Sequence, residues 1–452
     1  MNKKAILIAD LGYGDAGKGS IVDFLARDGG AHTVIRYNGG AQAAHNVITP
    51  DGKHHTFAQF GSATFLPNVR THLSRFMIVH PLAMLAEERD LQSMGITDAF
   101  ERVTVERGAL IITPFQQAAN RIKEIARGDG MHGSCGLGIG ETMSDWLSYG
   151  DEVLLAGDLT DRSTIIHKLR FLREQKLAQL QTFLTTFPAN PRAQEELKIF
   201  SDPGLLPAVV DTYRHWADQI RLVDRDYLRQ TFNGGGAFIF EGAQGVLLDE
   251  WWGFFPYNSW STLTFKNADT LLHESQWEGE TYRLGLTRAY MTRHGAGPMV
   301  TEDEQMSIRL PEPHNPNNPW QHAFRVGPLD LPALRYALNV TGNIDGLVVT
   351  HLDRLLTLPE WQICDAYLPG KDEKRTFLDD GGGNIRIPTD PTNLAEQEQL
   401  THFLQRCKPL LETVDKDANK FLNLMEEKLG HPVMLTSAGM TANEKDWRVM
   451  PH

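Results

Sequence analysis

The segment AILIADLGYGDAGKGS, residues 5–20, constrains this chain more than any other, because an apolar run of strand length opens directly into a glycine-rich turn. Such a unit, when a helix follows, aims backbone N–H groups at whatever lies beyond the strand, and phosphate is the group they suit. Two patterns overlap in it. Gly12, Gly14 and Gly17 have the G-x-G-x-x-G spacing of a dinucleotide site, while Gly12 to Lys18 spell the G-x-x-x-x-G-K of a P-loop, with Gly19 where a metal-binding Ser or Thr would stand. A dinucleotide site needs an acid about twenty residues later, at the end of the second strand. That stretch reads Ile35, Arg36, Tyr37, Asn38, Gly39, Gly40, with Arg36 as a partner only for a 2′-phosphate. The P-loop-like reading uses more of the residues: Lys18 neutralises phosphate charge, and Asp15 offers a hard oxygen to Mg²⁺ in place of the missing hydroxyl.

Five short apolar runs share the same grammar of strand followed by Gly and polar residues: AILIAD-LGYGD, TVIRY-NGGAQAAH, AFIFE-GAQG, GLVVT-HLD and VMLTS-AG. Helical spacing fills Pro114 to Arg127, Ser163 to Phe187, Leu331 to Leu338 and the stretch from Leu394 to Leu429. Strands alternating with helices predict an α/β fold with a mainly parallel central sheet, a P-loop-like nucleotide site and helical and loop insertions. In such a sheet ligands bind beyond the carboxyl ends of the strands, so the five polar loops are expected to form one composite site. Gly128 to Gly140 is a second glycine-rich loop, Asn315 to Pro319 (NPNNP) a turn, and Asp379 to Asn384 (DDGGGN) an exposed turn. Boundaries are conceivable near 190 and 313, but nothing marks a linker, and the expectation is one elaborated unit over residues 1–452.

The net charge of −13, without any basic tract, disfavours a nucleic acid polymer, and no apolar run reaches the roughly 18 residues that a membrane span needs. Cys135, Cys364 and Cys407 are far apart and odd in number, so the reading is a reducing, cytoplasmic setting without disulfides or zinc.

GDAGKG (Gly14 to Gly19), RYNGGAQAAH (Arg36 to His45), EGAQG (Glu241 to Gly245), TRHGAGP (Thr292 to Pro298), THLD (Thr350 to Asp353) and TSAG (Thr436 to Gly439) resemble, in order and separation, the motifs of adenylosuccinate synthetase. That family uses GTP and Mg²⁺ to phosphorylate the 6-oxygen of inosine monophosphate, which the amine of aspartate then displaces. The resemblance implies that Asp15 removes the N1 proton of the purine, with Gly14, Gly17, Lys18 and Gly19 holding the nucleotide phosphates. His45 matches the histidine on the transferring phosphoryl group, and Gln244 the glutamine that polarises the 6-oxopurine. Asp15 and the Ala44 carbonyl would hold Mg²⁺. Gln42 stands for an Asn near the nucleotide, Ser259 for a phosphate-binding Thr, and Ser134 with Cys135 for a Thr-Thr pair. His294 falls on the substrate side. Asp353 matches the acid that recognises guanine, His351 stands where a Lys covers the base, and Ser437 and Gly439 complete that pocket. Glu241 and Gly242 are read as shaping a turn.

Two departures bear on substrate. The aspartate-binding arginine loop is replaced by NPNNPWQHAFRVGPLD, Asn315 to Asp330, in which only Arg325 remains, and neither Trp320 nor His322 reproduces an arginine fork. The segment ETMSDWLSYGDEV after the second glycine loop has no Arg, and Leu137 replaces another. Each charge-assisted hydrogen bond lost from a phosphate is worth about 1.5–3 kcal/mol. The expected activity is a GTP- and Mg²⁺-dependent ligase acting on a purine nucleotide and an amine, aspartate or another, as a homodimer. Amination of another purine such as deoxyguanylate is the alternative within the class, and a non-catalytic purine or GTP sensor the alternative outside it.

Overall fold

The computed structural model describes residues 3–128, 133–184, 190–312, 323–371 and 375–450. A ten-stranded sheet forms its centre. In chain order its strands are β1 (Lys3–Asp10), β2 (Ala31–Arg36), β3 (Arg70–Leu73), β4 (Val103–Glu106), β5 (Arg221–Val223), β6 (Gly236–Glu241), β7 (Glu280–Arg288), β8 (Gly346–Thr350), β9 (Val433–Ser437) and β10 (Lys445–Trp447). Across the sheet they run β10-β9-β8-β7-β1-β6-β2-β3-β4-β5, and only the β9–β10 pair is antiparallel. All five runs of the shared grammar are strands of this sheet. The first of them, β1, lies between β6 and β7, so its loop opens at the middle of the carboxyl edge.

A strand covered on both faces is apolar at every position, and β1 shows why AILIA does not alternate. Ala5, Leu7 and Ala9 enter one core cluster, whereas Ile6 and Ile8 pack with Ile21, Val22, Leu25 and Ala26 of helix α1 (Lys18–Gly29) in another. β7 carries no such run. Its sequence ETYRLGLTR is polar at its start and interrupted by Gly285, so hydropathy does not mark it as central. The glycine is required there, because a Cβ would sit 2.7 Å from the Leu11 side chain.

The helix at Pro114–Arg127 starts and stops where its spacing predicts, with Thr113 and Gln116 closing a capping box. Helices also occupy Arg162–Leu184 and Leu331–Thr341. The stretch from Leu394 to Leu429 corrects the helical expectation. Helices Leu394–Arg406 and Ala418–Leu429 flank a strand, Lys408–Val414, that pairs antiparallel with Trp361–Leu368. Pro409 cannot continue a helix, and the long antiparallel ladder decides the conformation of the residues after it. Asp379 to Asn384 closes as a turn through the Asp379 N–H to the Asn384 carbonyl, 3.0 Å. The NPNNP turn, Trp320, His322 and residues 129–132 and 185–187 lie outside the described residues. No helix among the described residues is long and apolar enough to cross a membrane.

Candidate active site

The loop between β1 and α1 is held by a residue at the end of the strand. The Asp10 carboxylate accepts from the Gly12 N–H (2.8 Å), the Ala16 N–H (2.9 Å) and Lys18 Nζ (2.9 Å), all buried. Lys18 Nζ also donates to the Gln244 carbonyl at 2.7 Å, which ties the loop after β6 to the loop after β1. Gly14, Asp15 and Gly17 all have positive φ, at 98°, 62° and 83°. Two glycines accommodate this freely, and Asp is among the few other residues that tolerate it.

Gly19 explains why the P-loop pattern is incomplete. A Cβ there would lie 2.9 Å from both the His45 carbonyl carbon and the Asn46 carbonyl oxygen, so the second strand-end loop occupies the space of a Ser or Thr side chain. Gly19→Ser therefore displaces His45 and does not restore a metal ligand. We expect GTP affinity to fall by about ten- to hundredfold by calorimetry, the equivalent of about 1–3 kcal/mol of overpacking.

A cavity of about 490 Å³ lies over the carboxyl ends of β1, β6, β7, β8 and β9. Asp15, Lys18, His45 and Gln244 line it, as do His351, Asp353, Ser437 and Gly439. Gly14, Gly17, Gly19, Gln42, Ala44 and His294 line it as well. Ser259 joins through its hydroxyl, which donates to Gln244 Oε1 at 2.9 Å beside the Gln42 amide at 3.1 Å. Ser134, Cys135 and Arg325 are not among the lining residues. Ser134 exchanges hydrogen bonds with Asn120, and burial raises the Cys135 thiol above its ordinary range. Arg325 donates to Glu302 (2.7 Å) and to the carbonyls of Gly295 and Gly297, so its fork is engaged within the protein. Arg36 is fully buried and donates to the Ala58 and Phe60 carbonyls, which removes it as a partner for a 2′-phosphate.

His45 and Glu241 form a buried pair, Nδ1 to Oε1 at 2.5 Å, and the Ser62 N–H and hydroxyl both donate to the same carboxylate. Glu241 therefore does more than shape a turn. Burial would raise it, but the Arg36 guanidinium, His45 and the Ser62 hydroxyl together hold it down at about 2. Burial lowers His45 to about 4, against the upward pull of Glu241. Gly242 is confined by its surroundings, since a Cβ would meet the Tyr37 hydroxyl at 2.7 Å.

Burial also raises Asp15, opposed by Arg288 and Lys18. Arg288, at the end of β7, donates Nε to the Asp15 carbonyl (2.6 Å) and Nη1 to Glu312 (2.7 Å). Asp10, Arg288 and Glu312 escape a motif reading because two of them lie outside any motif and the strand carrying Arg288 has no apolar run. On the far side the Thr350 hydroxyl donates to the Ala16 carbonyl at 2.8 Å, and His351 sits at φ 59° with its ring held neutral by burial. The Ser437 hydroxyl and Lys445 Nζ both donate to the Gly439 carbonyl.

Among the described residues no group of three or more His, Cys, Asp or Glu could hold a metal by itself. This suits Mg²⁺, which takes one or two protein oxygens and completes its shell with phosphates and water. Asp15 and Ala44 both line the cavity.

The family model for adenylosuccinate synthetase matches residues 7–445. The adenylosuccinate synthetase of Chlorobium chlorochromatii is 28% identical over 457 residues, covering 98% of this chain and 97% of the relative. The fold is also that of the fully ligated adenylosuccinate synthetase from Plasmodium falciparum, with a TM-score of 0.75 at 21% identity over 99% of this chain and 100% of that one. The cyanophage S-2L succinoaminodeoxyadenylate synthetase, bound to dGMP and to dATP as energy donor, aligns with a TM-score of 0.58 at 14% identity over 99% of this chain and 96% of that one.

Proposed function

The chain belongs to the adenylosuccinate synthetase family, whose members form C–N bonds with GTP and Mg²⁺, and we propose that it phosphorylates the 6-oxygen of a purine nucleotide and replaces the phosphate with an amine. The observation that carries this reading is the convergence of Asp15, Lys18, His45 and Gln244 on one cavity from loops more than two hundred residues apart in the chain.

A lactam oxygen is a poor nucleophile and a poor leaving group. Asp15 takes the N1 proton, so that charge moves to O6 and O6 can attack the γ-phosphate. Its buried setting raises its proton affinity, which suits a base. The Gln244 carboxamide oxygen already accepts from Gln42 and Ser259, so its Nε2 donates to O6 and supports the charge building there. Lys18, beside Asp10, faces the phosphates, and His45, with Nδ1–H on Glu241, donates from Nε2 once it is protonated to the imidazolium. Asp15 and the Ala44 carbonyl would hold Mg²⁺, which would supply charge neutralisation for the phosphates. Asp353 recognises guanine N1 and N2, with His351, Ser437 and Gly439 around the base. A homodimer belongs to the same reading, and Leu147 on helix Ile139–Tyr149 is 70% exposed.

The test is GDP release from GTP and Mg²⁺ with inosine monophosphate, deoxyguanylate or inosine as acceptor, with products read by mass spectrometry. Deoxyguanylate is included because the phage neighbour is bound to it. Release that requires a 6-oxopurine is expected. GTP binding with no purine-dependent release would replace the ligase with a sensor.

A further inference from the structure

The turn between β9 and β10 is closed by residues at its own far end. Glu444 accepts from the Thr441 N–H at 2.7 Å and the Thr441 hydroxyl at 2.9 Å, and its carbonyl takes the Ala438 N–H at 3.0 Å. The next residue reaches back across the same turn: Lys445 Nζ donates to the Gly439 carbonyl at 2.9 Å and to the Thr441 carbonyl at 2.7 Å. The Ser437 hydroxyl donates to the Gly439 carbonyl as well, at 3.1 Å, and Ser437 stands opposite Lys445 in the β9–β10 ladder. A Cβ at Gly439 would collide with the Glu444 carboxylate, so the turn closes this tightly only around a glycine.

Lys445 is only 5% exposed, a costly place for an ammonium unless it is paired. Burial pulls it down to about 8, against the attraction of Glu444, Asp23 and Asp353, so it still carries its proton at pH 7. Those carboxylates come from three elements: the turn itself, α1, and the helix Leu352–Leu356. Asp353, Ser437, Gly439 and Met440 line the cavity, whereas Lys445 is not among its lining residues. The C=O and N–H of a trans peptide point in opposite directions, so a Gly439 carbonyl turned to Lys445 turns the Met440 N–H away from it. Lys445 thereby sets the direction of a backbone donor in a turn that lines the cavity. Guanine suits a carboxylate and a backbone N–H side by side, with donors at N1 and N2 and an acceptor at O6. Adenine has no N1 proton and carries an amine in place of that acceptor.

Resting on the GTP site proposed above, we propose that Lys445 is a positioning residue for base selection: it holds the turn after β9 so that the turn donates to the 6-oxygen of the base while Asp353 accepts from N1 and N2. Lys445 touches neither the base nor the phosphates, and its effect reaches the nucleotide through the Gly439 and Thr441 carbonyls.

The experiment measures the affinity of the full-length protein for GTP, ITP and ATP by calorimetry, with Mg²⁺ and no purine acceptor. ITP keeps the 6-oxygen and the N1 proton of GTP and lacks only the 2-amino group. The unmodified protein should bind GTP and ITP at least about tenfold more tightly than ATP, the worth of one hydrogen bond. Lys445→Met should weaken GTP and ITP by about tenfold or more and leave ATP where it was, and in turnover it should raise the KM for GTP with kcat at saturation within about twofold. Lys445→Gln, which keeps N–H donors without the charge, should fall between the two and is read in its place where the methionine variant does not fold. Equal weakening of all three nucleotides would make Lys445 a structural member of the turn and overturn the inference, as would an unchanged affinity for GTP. An unmodified protein that binds ATP as tightly as GTP overturns it with no variant needed, and leaves the phosphoryl-transfer reading standing with another donor. Binding of none of the three overturns the proposed function and the inference together, whereas selective GTP binding without purine-dependent release overturns the ligase alone.

Discussion

Asp15→Asn is expected to lower purine-dependent GDP release by about 10²- to 10⁴-fold in kcat, the range over which a positioned base contributes, while GTP still binds. Asparagine is the replacement that isolates the chemistry. It keeps the shape and one oxygen of the carboxylate, and it tolerates the φ of 62° at which residue 15 sits, where alanine would add backbone strain. What it cannot do is take a proton. The same substitution should raise thermal stability, and the sign follows from the burial of Asp15. Its pKa in the folded protein lies above the ordinary carboxylate value, so its favourable contribution to folding is complete below the unfolded pKa and is lost as pH rises through the folded one. At neutral pH the native protein therefore carries a desolvated charge that asparagine removes. A Tm increase of about 1–2 °C at pH 7, shrinking toward pH 4, is the expected signature of a residue kept for function at the expense of stability. Retention of full activity by this variant would overturn the role of Asp15 as base.

Five strands of the central sheet were legible because they announce themselves twice, by an apolar run and by the glycine or polar loop that comes after it. β7 lacked the first signal, since Gly285 and the charged flanks answer to the close approach of Leu11 and to the site. The strand at Lys408–Val414 was hidden for a different reason: its conformation is fixed by pairing with Trp361–Leu368, a partner some fifty residues away that no local spacing reports. The first set of site residues could be named because each sits in a short motif after a strand. Their supports could not. Asp10, Arg288 and Glu312 act through contacts that span up to 273 residues of chain, as between Arg288 and Asp15, and nothing in the neighbourhood of either residue signals the other. Arg325 shows the converse, a residue singled out by position whose guanidinium is taken up by the Gly295 and Gly297 carbonyls, some thirty residues earlier in the chain.

Glu241→Gln should lower kcat by about 10²-fold or more, with a smaller effect on the KM for GTP, because it removes the group that orients His45 and keeps the proton on Nδ1. His45 must donate from Nε2 to the transferring phosphoryl group while Nδ1–H faces Glu241, and only the imidazolium carries both protons. Burial lowers His45 to about 4 in the free protein, so it takes up its proton together with the nucleotide's negative charge, helped by the carboxylate at 2.5 Å. Without that carboxylate the upward pull is gone, protonation needs a lower pH, and the alkaline limb of the kcat profile should move toward acid. Glutamine still offers an oxygen to the Ser62 N–H, but it leaves Arg36 without its buried counter-charge, so some loss of stability is expected as well. A double variant separates the two effects. If Glu241 works through the imidazole, adding Glu241→Gln to His45→Asn changes kcat little further, since the group to be positioned is already absent. Additive losses with an unmoved alkaline limb would instead make Glu241 an anchor for the Ser62 loop and nothing more.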